Sequence, residues 1–223
     1  MSIKRVLEPE VMDSIEESVA YDAMDFSEVN TAFAKEAIAL CPQAQAKILD
    51  VGTGPGQIPV LICQMQPQWQ VTAIDLAATM LEIAAQHVEK AGLQAQINLE
   101  LVDAKKLPYP EAQFDMVISN SLIHHLPDPL PFLLELKRVV KPHGGILIRD
   151  LFRPAYEATI NDLVNSIGGE FNAMQTKCFR DSLYAAFTLD EVRELFSQAG
   201  LSDVKIYQNS HRHWTAERIW SQS

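Results

Sequence analysis

Residues 48–59 read ILDVGTGPGQIP. An apolar run ends in an acid, three glycines fall within five positions, and a second apolar run follows. In that second run Ile58, Leu61, Ile62 and Met65 recur at i, i+3, i+4 and i+7, one face of a helix. Pro59 is tolerated there because the first helical turn has no N–H partners to lose. A strand that ends in glycines and opens a helix lets a ligand approach bare backbone at the helix N-terminus. The stretch therefore predicts a strand, a binding turn at Gly52, Gly54 and Gly56, and a helix.

Outward from this stretch the strand–helix rhythm repeats. QVTAID (70–75), INLELV (97–102), FDMVIS (114–119) and GILIRDL (145–151) read as strands. Helices are expected over 28–40 with Ser27 as N-cap, over 77–91 ended by Gly92, and over 130–140 stopped by KPHGG. The strands are apolar runs rather than strict alternations, so both sheet faces are covered, which predicts a doubly wound, mostly parallel α/β sheet. Residues 154–182 carry no strand, but Ile160, Leu163, Val164 and Ile167 form a helix stripe closed by Gly168 and Gly169. Thr188 and Glu191 stand at capping-box spacing, Val192, Leu195, Phe196 and Ala199 continue that helix, and Gly200 ends it. DVKIYQ, a turn at Asn209 and Ser210, and HRHWTAERI make a terminal hairpin, which gives the sheet an antiparallel strand.

A chain of 223 residues, 48% of them hydrophobic, suits one domain with a substantial core, and we expect residues 1–223 to form a single domain. The formal net charge of -11 argues against a nucleic-acid partner, since such a surface repels phosphate backbones. The first residues are interrupted by charge throughout, unlike a signal peptide, and no apolar run reaches the length of a membrane span. Cys41, Cys63 and Cys178 are odd in number, far apart and without a CxxC, so neither a disulfide framework nor a zinc site is indicated and a cytoplasmic location is expected.

The nature of the ligand turns on charge. The nicotinamide fingerprint is G-x-G-x-x-G, and Gln57 stands at its third glycine. No G-K-[ST] follows, so this is not a P-loop. Asp50 ends the first strand, where a negative charge suits a cationic group better than a pyrophosphate. Asp75 ends the second strand about 20 residues beyond Gly52, the place of a carboxylate that accepts ribose hydroxyls. Asp103 follows the third and can accept from an adenine amine. Each acid alone has a plainer reading, Asp75 as a helix cap and Asp103 as a turn acid. Together, at the carboxyl ends of three strands, they fit a ligand with an amino-acid end, a ribose and an adenine but no phosphate, such as S-adenosylmethionine.

LDVGTGPG (49–56), AIDLAATML (73–81), VDAKKLPYPEAQFDMVISNSLIHHL (102–126) and LKRVVKPHGGILIRDL (136–151) together resemble the class I S-adenosylmethionine-dependent methyltransferases. The likeness is to the type 11 group, which acts mostly on small molecules, and it covers roughly residues 29–208. The resemblance implies a seven-stranded, Rossmann-like sheet whose last strand is antiparallel, with a helical N-terminal segment (1–46) and an insertion (152–187) covering the acceptor. It implies that Gly52, Gly54 and Gly56 shape the turn around the methionine part of the cofactor and that Asp50 holds its ammonium. Asp75 takes the ribose, Leu76 and Met80 line the adenosine, and Asp103 with the Ala104 backbone meets the adenine amine. Asn120 supplies backbone to the cofactor amine, and Tyr21 closes over the methionine end. EPEVMDSIEESVAYDAMDFSEVN (8–30) is similar to a subset of bacterial members.

Methyl transfer needs in-line alignment and exclusion of water more than it needs a base. Three residues are candidates for proton transfer where it is needed. His125 and His124 follow the fourth strand, and Asp150 ends the fifth. One histidine at most is expected to face the site, with His125 preferred and the other packing or capping the next helix. The plainer reading of Asp150 is a salt bridge to Arg149 or Arg153. His211 and His213 share a strand face but lack a further metal ligand at motif spacing. NSLI (120–123) stands where amide- and adenine-amine-methylating relatives carry Asn-Pro-Pro-aromatic, which points away from those acceptors. The expected reaction is methyl transfer to a small-molecule acceptor. The rivals are a non-catalytic S-adenosylmethionine-binding module and a nicotinamide-dependent oxidoreductase.

Overall fold

In the computed structural model, which describes residues 3–9, 11, 13–167 and 171–222, the run before the glycines becomes a central strand. This strand is β1 (Lys47–Val51), with β2 (Gln70–Asp75), β3 (Ile97–Leu101), β4 (Phe114–Asn120), β5 (Val140–Leu151), β6 (Lys205–Gln208) and β7 (His213–Arg218). Their order in the sheet is β3-β2-β1-β4-β5-β7-β6. Strands β1 to β5 pair in parallel, and β7 runs antiparallel to both neighbours. The winding reverses between β1 and β4, so the carboxyl ends of β1, β2 and β4 border the crevice where open α/β sheets bind ligands.

Side chains of successive strand residues point to opposite faces, and here both faces are apolar. Leu49, Val117, Ile146 and Ile148 pack with Phe132, Leu133 and Leu136 of α5 (Leu130–Val139) and with Val192 and Phe196 of α8 (Leu189–Gln198). Ile48, Met116, Ile118 and Leu147 pack on the other face with α2 (Ser27–Leu40), α3 (Gln57–Met65) and α4 (Ala78–Ala91). The N-terminal helix α1 (Ile15–Asp22) lies against α4. Helices α6 (Glu157–Ser166) and α7 (Ala173–Ala185) share a small core of Leu151, Ile160, Val164, Leu183 and Ala186. Phe152 and Phe187 bridge in parallel, so the excursion between them leaves and rejoins the sheet at one place. No helix among the described residues is long and apolar enough to cross a membrane.

The structure alters several local readings. Ser27 is the first residue of α2 rather than its cap: Asp25 Oδ1 accepts its backbone N–H at 3.0 Å and its hydroxyl at 2.6 Å. KPHGG does not precede the fifth strand but lies inside it, because β5 already pairs at Val140 with Phe114 and its register then slips. Gly144 permits that slip, since a Cβ there would sit 2.7 Å from Val140 Cγ2 and 2.8 Å from the Asp115 carbonyl. The Thr188–Glu191 capping box is formed in both directions, and Gly92 and Gly200 end their helices in left-handed geometry. The expected closure of α6 by Gly168 and Gly169 lies outside the described residues.

Candidate active site

The glycine turn is built by backbone. The N–H groups of Gly52 and Thr53 both donate to the Ile74 carbonyl at 2.9 Å, tying the end of β1 to β2. Gly54 has φ +54° and open space where a Cβ would project, so the ligand side of the turn is bare. Gly56, at φ +73°, takes a left-handed turn geometry and also serves packing, since a Cβ there would lie 2.8 Å from Ala84 Cβ. It is absent from the cleft wall and lets the start of α3 press against α4. Every other residue expected to hold the cofactor lines one cleft: Tyr21, Asp50, Gly52, Gly54, Asp75, Leu76, Met80, Asp103, Ala104 and Asn120.

The three acids have distinct surroundings. Asp50 is 2% exposed, and neither its Oδ2 nor the buried Thr53 Oγ1 has a hydrogen-bond partner. Burial pushes the Asp50 carboxyl up to about 7; the adjacent Thr53 hydroxyl pulls the other way, and the charge of Asp75 adds to the rise. Asp75 braces the turn, with Oδ2 accepting from Gly54 N at 2.8 Å and Oδ1 from Ala77 N at 2.9 Å. Its own burial still holds it above the ordinary carboxylate range despite those donors. Asp103 accepts from Lys105 N at 2.9 Å and meets Lys105 Nζ at 3.1 Å, so it is also a turn acid. The Tyr21 hydroxyl is pushed up to about 12 by burial, then by the charges of Asp75 and Asp150, and it stays neutral.

The histidines sit in a 3-10 turn, Ile123–His125, ahead of α5. His125 lines the cleft, and His124 does not. His124, 4% exposed, places Nδ1 2.5 Å from Oδ1 of Asp150, which is 1% exposed. Burial would depress His124, but Asp150 and Glu8 outweigh it and hold the imidazole above its ordinary value. Burial would raise Asp150, yet His124 holds it below the ordinary range. Burial, and then the neighbouring His124 charge, pushes His125 down to about 3, so its ring is neutral. The arginines expected to pair with Asp150 are engaged elsewhere: Arg149 with Glu36 and Arg153 with Glu191. Arg149 and Asp150 are successive strand residues and point to opposite faces.

Two groups of contacts escaped the sequence reading. Asn30 Nδ2 donates to Gln57 Oε1 and Gln57 Nε2 donates to Asp22 Oδ1, both at 2.9 Å. His87 then joins Asp22 Oδ2 at 3.3 Å and the Pro55 carbonyl at 2.8 Å. The glutamine in place of a fingerprint glycine thus ties α1 and α2 to the glycine turn; its departure from the fingerprint was the signal. The second group is the N-terminal strap. Arg5 donates to the carbonyls of His124, Leu126, Pro127 and Ala185, and Glu8 reaches both histidines. No local sequence pattern marks these long-range contacts.

Residues 49–148 match the family model described as a methyltransferase domain. A 27-O-demethylrifamycin SV methyltransferase of Amycolatopsis mediterranei is 30% identical over 183 residues, covering 79% of this chain and 63% of that protein. A demethylmenaquinone methyltransferase of Listeria monocytogenes is 25% identical over 209 residues, covering 86% of this chain and 87% of that protein. Against the first four curated relatives the chain spans 63%, 39%, 45% and 49% of their length. The fold is shared with a solved S-adenosylmethionine-dependent methyltransferase of Methanococcus maripaludis, described as putative, at a TM-score of 0.72 and 17% identity over 98% of this chain and 99% of that one. In sheet order and in these matches, the chain has the fold of the solved S-adenosylmethionine-dependent methyltransferases and is similar to a methyltransferase domain over residues 49–148.

Proposed function

We propose that this protein transfers the methyl group of S-adenosylmethionine to a small organic acceptor. The observation that carries the reading is Asp50, a buried residue of a cleft that holds two further strand-end acids, whose Oδ2 accepts no hydrogen bond. A buried acceptor left unpaired is costly, and a cationic donor from a ligand relieves that cost. The ammonium of S-adenosylmethionine is such a donor, so the residues present fit the cofactor.

In this reading Asp50 holds the ammonium and Asp75 accepts from the ribose with lone pairs its two backbone donors leave free. Leu76 and Met80 flank the adenosine, while Asp103 and the Ala104 backbone meet the adenine amine. Asn120 adds backbone at the amine, and the neutral Tyr21 covers the methionine end. The bound cofactor supplies an electrophilic methyl group on a good leaving group. The chain's own work is alignment and exclusion of water. His125 is the histidine that reaches the cleft, and its neutral ring offers a hydrogen bond that orients the acceptor. Its low basicity argues against outright proton removal. Asp150 and His124 act as positioning residues behind it. The relatives named for 27-O-demethylrifamycin SV and demethylmenaquinone support a small organic acceptor.

Calorimetric titration with S-adenosylmethionine and S-adenosylhomocysteine, beside a nicotinamide dinucleotide, tests the cofactor. Micromolar binding that is lost in Asp50→Asn and Asp75→Asn, followed by methyl transfer in an acceptor screen, is the expected result. Preference for the nicotinamide, or no binding, overturns the reading. Binding without transfer to any acceptor would favour the non-catalytic module.

A further inference from the structure

Two histidine nitrogens converge on one carboxylate oxygen at ion-pair distance, outside hydrogen-bond geometry. His124 Nε2 lies 3.4 Å and His125 Nδ1 3.2 Å from Glu8 Oε1. A charge-assisted N–H···O bond closes to about 2.7–2.9 Å, and His125 Nδ1 is buried with no hydrogen-bond partner. The rings lie side by side, with centroids 4.2 Å apart. The three donor atoms fall within 4.8 Å of one another, the one such cluster found among the described residues.

The spacing has a natural meaning. Two ligands bound to one zinc ion at about 2.0–2.1 Å, at the tetrahedral angle, stand ~3.3–3.4 Å apart. Two of the three edges, at 3.4 Å and 3.2 Å, lie close to that value, and the third is within 4.8 Å. The surroundings also suit a metal. Asp150 engages His124 Nδ1 at 2.5 Å, so a metal at Nε2 would displace only the proton that faces Glu8. The Ser182 hydroxyl approaches the two Glu8 oxygens at 3.3 Å and 3.1 Å. Arg5, held by four carbonyls, seats the strap that carries Glu8.

We propose that Glu8, His124 and His125 form a three-ligand site for a divalent first-row transition metal, zinc by its donor set, beside the cleft that His125 lines. Two histidines and a glutamate are a known catalytic zinc set, and such sites leave the fourth position to water or substrate. An oxygen of the methyl acceptor is the substrate group that suits this position. Only that last role rests on the methyl-transfer reading; metal binding stands without it.

The test uses the full chain stripped with a chelator, then titrated with zinc against a chromophoric competitor and, separately, with cobalt(II) read by its visible absorption. One metal per chain and a tetrahedral cobalt spectrum are expected, both abolished in Glu8→Gln and His125→Asn. Ser182→Ala, which removes only outer support, should weaken zinc about 10–100-fold. His211→Ala should leave binding unchanged. Absence of the cobalt spectrum, or zinc binding that follows His211 rather than Glu8, overturns the proposal. S-adenosylhomocysteine titration of the metal-free chain reads the cofactor site by itself, so failure of either reading is recognised separately.

Discussion

Gly56→Ala separates the packing role of the glycine turn from its binding role. At φ +73° a side chain costs about 1–2 kcal/mol in backbone strain alone. The new methyl would also stand 2.8 Å from Ala84 Cβ and 3.2 Å from Ala84 Cα, so α3 or α4 must shift. Overpacking of this kind costs about 1–3 kcal/mol. A total near 3 kcal/mol lowers Tm by about 6–12 °C for a domain of this size. Gly54→Ala, at φ +54° with nothing within 4 Å of the added Cβ, carries only the strain and should lose ligand affinity instead. Thermal and urea unfolding of both variants, with Ala84→Gly and the Gly56→Ala/Ala84→Gly double variant, completes the cycle. Ala84→Gly alone costs about 1 kcal/mol of helix propensity, but in the double variant it removes the nearest clash, so the two losses should sum to less than their parts. Equal Tm losses at positions 54 and 56, with strictly additive energies, would refute the reasoning.

Asp50 ionises at about 7 in the folded chain against an ordinary value of 3.8, so the folded state keeps a proton that the unfolded state releases. Stability of the ligand-free protein should therefore fall relative to Asp50→Asn as pH rises from about 4 to about 7, by at most ~1.4 kcal/mol per pH unit, and a pH-independent difference in urea unfolding would count against this. Asp75→Asn sets an amide N–H against one of the two backbone donors that Asp75 now satisfies. It should cost about 1–3 kcal/mol even without ligand, and unchanged unfolding would mean that the turn is held by other contacts. Arg5→Ala removes the guanidinium from four carbonyls and from the face of Phe187, at 3.8 Å from its centroid. Limited proteolysis should then cut the strap before the core, and an unaltered cleavage pattern would sink the idea that Arg5 seats it.

The apolar runs along β1, β4 and β5 made the covered, parallel sheet legible, because a strand buried on both faces has to be apolar at nearly every step. The acids at 50, 75 and 103 were legible because in open α/β sheets the strand ends border the crevice. Helices α1 and α7 left little trace. Ser18 is the buried residue of α1, and Leu183 and Ala185 are those of α7, so neither shows a hydrophobic stripe. KPHGG looked like a stop because Pro and Gly break isolated segments, yet pairing with β4 carries the strand through it. The resemblance gives Gly56 a part in shaping the turn, and its φ of +73° is a turn geometry; that a Cβ there would also meet Ala84, in the next helix, shows only in the tertiary structure.

What the sequence alone determined is local: where the backbone must turn left-handed, which residues cap helices, and which faces of each element are apolar. These follow from sterics and burial within a few residues of chain, and they suffice for the sheet, its winding and the place of its crevice. The tertiary structure decided which side chains meet. It paired Asp150 with His124 rather than with an arginine, turned Gln57 into a tie between the N-terminal helices and the glycine turn, and set Glu8 against both histidines. Such contacts join residues far apart in the chain, and their geometry exists only once the packed core has fixed each element against the others.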